Sequence, residues 1–190
     1  MTLFINACVR PDSRTERLAR RLLARLGGPV EELRPGELDF PRADADFLAR
    51  RDALMAQGRT EDPLFAPARQ FAAAERVVVA APLWDLSFPA ALKQYFEQIN
   101  VTVLTFAYSP EGVPYGLCKA KELWYVTTAG GPVFSHDYGF GYVKALAQGF
   151  YQIPRVELIC AEGLDLWGAD VEALLAEAEG KIEEKIKDKR

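Results

Sequence analysis

The chain has 190 residues, 49% of them apolar and 26% charged, which is ordinary for a folded protein and enough for one domain expected to span residues 1–190. A formal charge of −4 argues against a general binder of nucleic acid or of anionic membranes, and no apolar run approaches the ~20 residues of a membrane span. Three cysteines without a Cys-x-x-Cys pair and a single histidine leave no ligand set for a zinc cluster, and no metal is expected.

The chain runs at once into strand-like Thr2-Leu3-Phe4-Ile5-Asn6, with no basic leader or small-residue cleavage site, so a cytoplasmic protein with free thiols is expected. Residues 3–7 are the first strand. The loop Cys8-Val9-Arg10-Pro11-Asp12 then leads to Ser13 and Glu16, a capping-box pair whose hydroxyl and carboxylate each meet a free backbone N–H. Leu18, Leu22, Leu23 and Leu26 form one helical stripe, which Gly27-Gly28-Pro29 ends. Residues 30–34 are a short second strand, placed near an edge by Glu31 and Glu32. Residues 35–67 are irregular, and two helices are expected over 44–57 and 63–74.

The apolar, β-branched run 77–81 predicts a third strand buried on both faces, ended by Pro82. A helix opens at Phe88-Pro89, with Ser87 or Phe88 near its cap and Pro89 in the first turn, where a missing N–H costs nothing. Between strand and helix lies the aromatic segment Leu83-Trp84-Asp85-Leu86. Residues 101–108 alternate like extended chain, and Pro110, Gly112, Pro114 and Gly116 punctuate the next stretch. Residues 123–127 are the fourth strand, left through Thr128-Ala129-Gly130-Gly131-Pro132. An aromatic segment with Phe134, Tyr138, Phe140 and Tyr142 enters a helix ending near Phe150. Residues 156–160 are the fifth strand, and an amphipathic helix runs from Ala169 to the end.

Alternating strands and helices predict a doubly wound parallel five-stranded sheet of order 2-1-3-4-5, with helices on both faces. The loops after strands 1, 3 and 4 then meet at one end of the sheet, where such folds bind ligands. The first loop delivers Arg10, Ser13, Arg14 and Thr15 to a helix start suited to phosphate. It also matches the Cys-x5-Arg-Ser/Thr pattern of low-molecular-weight tyrosine phosphatases, with Cys8 as nucleophile and Arg14 as phosphate ligand. Pro11 removes an N–H from that cradle, Asp12 sets a carboxylate beside the anion, and no glycine allows a tight loop. An inert, buried Cys8 is the preferred reading. A dinucleotide fold of the GxGxxG type is excluded because no glycine follows the first strand. The second loop (Pro82, Leu83, Trp84, Asp85, Leu86) offers a flat apolar edge. The third (Thr127, Thr128, Ala129, Gly130, Gly131) offers hydroxyls and unhindered N–H groups. Phosphate site, planar-ring wall and donor edge together have the shape of flavin mononucleotide (FMN).

On these residues the chain resembles the flavodoxin-like FMN-dependent NAD(P)H oxidoreductases, which include NADH-azoreductases and NAD(P)H:quinone reductases. The run from Ala80 to Lys93 is similar to the azoreductase segment Ala-Pro-Met-Tyr-Asn-Phe-x-Ile-Pro-x-x-Leu-Lys. Thr105-Phe106-Ala107-Tyr108 through Gly116-Leu117, the Thr127-Thr128-Ala129-Gly130-Gly131 loop and Ala161-Glu162-Gly163 also resemble family segments. The resemblance implies a flavodoxin-like fold, FMN as cofactor and NAD(P)H as co-substrate. It implies ping-pong transfer of two electrons to a small-molecule quinone or azo acceptor, and a homodimer with its site at the subunit interface. Arg10, Ser13 and Thr15 would bind the phosphate, residues 82–86 would lie along the ring, and residues 128–131 near its pyrimidine edge. His136 is the one candidate for assisting protonation, and Phe106, Tyr108, Phe134 and Tyr138 are candidate substrate-pocket walls. Asp85 stands where azoreductases often have Asn, and Ala129 replaces a family Arg. A flavodoxin-type electron carrier is the competing reading, opposed by the modest acidity of −4 and by the aromatic loops.

Overall fold

Seven β-strands and six α-helices lie along residues 1–187, the part of the chain that the computed structural model describes. They are β1 (Thr2–Asn6), α1 (Arg14–Leu26), β2 (Val30–Leu33), α2 (Ala45–Ala56), α3 (Ala66–Ala73), β3 (Arg76–Ala80), α4 (Ala90–Ile99), β4 (Phe106–Tyr108), β5 (Pro114–Gly116), β6 (Glu122–Thr128), α5 (Tyr142–Gly149), β7 (Arg155–Ala161) and α6 (Val171–Lys187). Five strands form one parallel sheet of order β2-β1-β3-β6-β7. The expected fourth and fifth strands are β6 and β7, so the 2-1-3-4-5 winding is the one observed. The expected continuation of the last helix through 188–190 lies outside the described residues.

The sequence of each strand reflects the layers that cover it. β1 is buried along its whole length and β3 nearly so, which is why both read as unbroken apolar runs. On one face Leu3, Ile5, Val77, Val79, Leu123 and Tyr125 pack under α2, α3, α4 and α5. On the other Phe4, Val78, Trp124 and Val126 pack under α1 and α6. β2 pairs only with β1 and is largely exposed, as an edge strand with two glutamates should be. Trp124 is fully buried beneath the Arg155 guanidinium, 5.3 Å from its ring, and its Nε1–H donates to Glu122, which also pairs with Arg76.

Three local expectations are corrected, and one local form is added that the sequence does not specify. Of the extended stretch 101–108, only 106–108 is strand, paired antiparallel with β5 in a hairpin apart from the main sheet; Val103 turns the preceding chain at φ 67°. Pro89 is the cap of α4 itself and not a first-turn residue, because the Ser87 hydroxyl donates to the Tyr138 carbonyl (2.7 Å) and caps nothing. The segment Asp137–Gly141 is a wide helical turn of π type leading into α5, closed by the Gly141 N–H donating to the His136 carbonyl. The capping box at α1 is half made: Ser13 caps the helix, but the Glu16 carboxylate turns to arginines instead. No helix of the described residues is long and apolar enough to cross a membrane.

Candidate functional site

The C-terminal ends of β1, β3, β6 and β7 surround a cleft of about 610 Å³. Residues 9–15, 82–84, 128–130 and 164–165 line it. This is the end of a doubly wound sheet where crossovers on opposite faces leave a crevice. The volume lies in the usual range for a small-ligand site.

One wall is the start of α1. Ser13 is the N-cap, and its Oγ accepts the Glu16 N–H at 3.2 Å. The Glu16 carboxylate does not return to Ser13; Arg20 and Arg34 hold it, each at 2.8 Å. The first N–H groups of α1 have no partner inside the helix, and the residues carrying them line the cleft. Such an end attracts anions. Thr15 and Thr128 are buried with their hydroxyl oxygens 2.6 Å apart, so the two hydroxyls expected to meet a ligand bond each other and join the first loop to the third.

Arg14 reaches across the cleft, donating to the Leu164 carbonyl at 3.1 Å and to the Asp165 carboxylate at 2.8 Å. Arg10 is exposed and has no protein partner among the described residues.

The second wall is residues 82–84. The Leu83 N–H donates to the Thr128 carbonyl, and Trp84 and Ser87 exchange two backbone hydrogen bonds around a two-residue turn. Asp85 and Leu86 occupy that turn at φ 50° and 65°. Asp tolerates the left-handed region and Leu does not, so Leu86 holds local strain. Both side chains are exposed and outside the cleft lining, while Trp84 lines it and is 39% exposed.

The third wall is residues 128–130. Among the described residues, the N–H groups of Gly130 and Gly131 donate to no protein acceptor. Their carbonyls are taken: Asp165 N–H donates to Gly130 and Gly163 N–H to Gly131. Thr127 is buried on the other face of β6, beside Tyr125 in the strand alternation, and takes no part in the lining. Gly131 lies just beyond the lining.

Several residues singled out in the sequence are elsewhere. His136, Phe106, Tyr108, Phe134 and Tyr138 do not line this cleft. Phe106 is a core side chain, stacked on Phe150 at 4.7 Å. Phe134 is 88% exposed, and Tyr138 is exposed. Cys8 is buried outside the lining, and burial pushes its thiol up to about 11, despite a hydrogen bond from Ser13. A protonated, enclosed thiol, with the loop's Arg14 paired to Asp165, does not make a phosphatase nucleophile. Leu164 and Asp165 line the cleft and were not singled out. The signal for them was the loop leaving the fifth strand at the same sheet end, directly after Ala161-Glu162-Gly163.

A family model described as flavodoxin-like fold (Flavodoxin_2) matches residues 1–186. A Clostridium acetobutylicum protein named FMN-dependent NADH:quinone oxidoreductase 2 is 34% identical, the match covering 98% of this chain and 98% of that protein. A Clostridium beijerinckii protein named FMN-dependent NADH:quinone oxidoreductase is 33% identical over 97% of both chains. Among solved structures, an FMN-dependent NADH-azoreductase from Bacillus anthracis in complex with FMN superposes with a TM-score of 0.80 at 22% identity, covering 98% of this chain and 97% of that one. That likeness concerns the fold, with its parallel sheet and crevice. With one model spanning nearly the whole chain and relatives matching end to end, the chain belongs to the Flavodoxin_2 family of flavodoxin-like fold.

Proposed function

We propose that this protein is an FMN-dependent oxidoreductase that takes two electrons from NADH or NADPH and passes them, in separate half-reactions, to a quinone or azo acceptor. The observation that carries this reading is the order of groups along one cleft. Free helix-start N–H groups, a partly exposed Trp84 and the free N–H group of Gly130 succeed one another, with that of Gly131 just beyond the lining. Phosphate, planar ring and the carbonyl oxygens of a pyrimidine edge need those three partners in that order. The names of the relatives support the same choice of cofactor.

In this reading the N–H groups at Ser13, Arg14 and Thr15, with Arg10, hold the phosphate. Residues 82–84 lie along the ring, and Gly130 and Gly131 donate to its polar edge. FMN, when bound, supplies hydride acceptance and the two-electron step. The protein's part is binding and orientation; Asp85 is exposed and outside the cleft lining, and Ala129 adds no cation. One open ring face would serve nicotinamide and acceptor in turn.

The lone chain leaves Tyr108, Phe134 and Tyr138 exposed, and a homodimer covering them completes the proposal, with His136 and these aromatics brought to the site by pairing. Purification followed by an absorbance spectrum and oxidation of NADH and of NADPH with a quinone tests the reading. A flavin band and quinone-dependent turnover are expected. A colourless chain that FMN does not reconstitute would overturn it.

A further inference from the structure

We propose that Asp165 is a positioning residue that sets how strongly the cleft holds a phosphate, by keeping Arg14 engaged on the opposite wall. The inference rests on the FMN reading and concerns the division of charge within that cleft. Its lining carries two cations, Arg10 and Arg14, and two anions, Asp12 and Asp165. Only one of the cations is committed. Arg14 donates at once to the Leu164 carbonyl and the Asp165 carboxylate, while Arg10 has no protein partner among the described residues.

The clamp is built into the backbone. Gly163, Leu164 and Asp165 donate their N–H groups to the carbonyls of Gly131, Ala129 and Gly130, respectively. The segment is thereby fixed to the third wall of the cleft. The Asp165 side chain sits in space that only glycine leaves open: a Cβ at residue 130 would lie 2.2 Å from Asp165 Oδ2. The close approach of residues 130 and 165 thus seats the carboxylate opposite Arg14.

Arg14 is the first residue of α1, so its own N–H belongs to the phosphate-binding end while its guanidinium is drawn away from it. The pair it makes is weak, with side chains 39% and 66% exposed. A phosphate dianion offers a guanidinium a stronger, bidentate partner. Phosphate and Asp165 therefore compete for one cation, and the outcome sets the difference in affinity between phosphorylated and unphosphorylated flavin.

Fluorescence titration of the flavin-stripped full chain with FMN and with riboflavin reads this directly. Asp165→Asn is expected to tighten FMN binding about fivefold and to leave riboflavin within about twofold, since only the phosphorylated ligand carries the charge. In an Arg14→Gln background the same Asp165→Asn change is expected to lose most of that effect, because Asp165 acts through Arg14. An unchanged FMN-to-riboflavin ratio, equal weakening of both, or a full effect surviving in the Arg14→Gln background overturns the assignment. A wild-type chain that binds neither flavin overturns the FMN reading and this inference with it. Wild-type FMN binding with an unaltered ratio removes Asp165's role alone.

Discussion

Two glycines show how the same short distance can carry opposite costs. A Cβ at Gly116 would lie 2.1 Å from the Tyr151 carbonyl oxygen and 2.4 Å from its carbon, both backbone atoms of the chain that β5 packs against. Gly116→Ala must push two backbone segments apart, and a loss of about 2–4 kcal/mol in urea unfolding is expected. At Gly130 the atom met at 2.2 Å is the end of the exposed Asp165 side chain, which can swing away. Gly130→Ala should cost under about 1 kcal/mol, because the backbone hydrogen bonds of the loop remain. Equal losses at the two sites would show that the carboxylate is not free to move. Cys8 offers a second test at this scale. With its thiol raised to about 11 by burial, it should label negligibly with iodoacetamide at pH 8, and Cys8→Ser should retain quinone reduction. Rapid labelling, or phosphatase activity lost in that variant, would revive the hydrolase reading. Arg10 and Ser13 were legible in the sequence because a helix start announces itself locally. Asp165 was not, because its partner Arg14 is 151 positions away and no local pattern encodes that meeting.

At the scale of elements, strands and helix stripes were legible wherever burial sets a period. Disagreements arose where one polar contact redirects a local signal. Ser87 reads as a cap and is drawn to Tyr138 instead. Glu16 reads as the second half of a capping box, but Arg20 and Arg34 take its carboxylate, and Arg20 and Arg34 also hold Glu32 from β2. That cluster binds the α1 end of the cleft to the sheet edge. Burial works to raise both carboxyls, yet hydrogen bonds from Arg20 and Asn6, with the charge of Arg34, outweigh it and hold both below their ordinary 4.5. A carboxyl depressed on folding stabilises the fold above its unfolded pKa and loses that contribution as pH falls through the folded value. Glu16→Gln should therefore lower the melting temperature at pH 7. The gap to wild type should close on acidification below about pH 4.5. A gap that stays constant from pH 7 to pH 3 would mean that the cluster's charge contributes nothing.

For the molecule as a whole, the winding order was legible because strands buried on both faces alternate with amphipathic helices, and few topologies satisfy that pattern. What one chain's pattern does not encode is what its exposed apolar groups are for. Leu86, Tyr138 and Phe134 are all exposed, and the Ser87–Tyr138 hydrogen bond ties the turn carrying Leu86 to the segment carrying the two aromatics. Tyr108 and Tyr115 stand exposed on the β4–β5 hairpin, which lies outside the main sheet. Single exposed apolar side chains are common, but several large ones on adjoining loops favour a protein partner. In the proposed homodimer that partner is a second copy. Sedimentation velocity at micromolar concentration should give twice the mass of one chain. A double change, Phe134→Glu with Tyr138→Glu, places like charges in the shared surface. It should shift the protein toward monomer, lowering quinone-dependent turnover more than FMN affinity, because the cleft proposed for FMN lies within one chain. Two outcomes would remove the dimer from the proposal: a single-chain mass across the whole concentration range, or a monomeric variant with undiminished turnover.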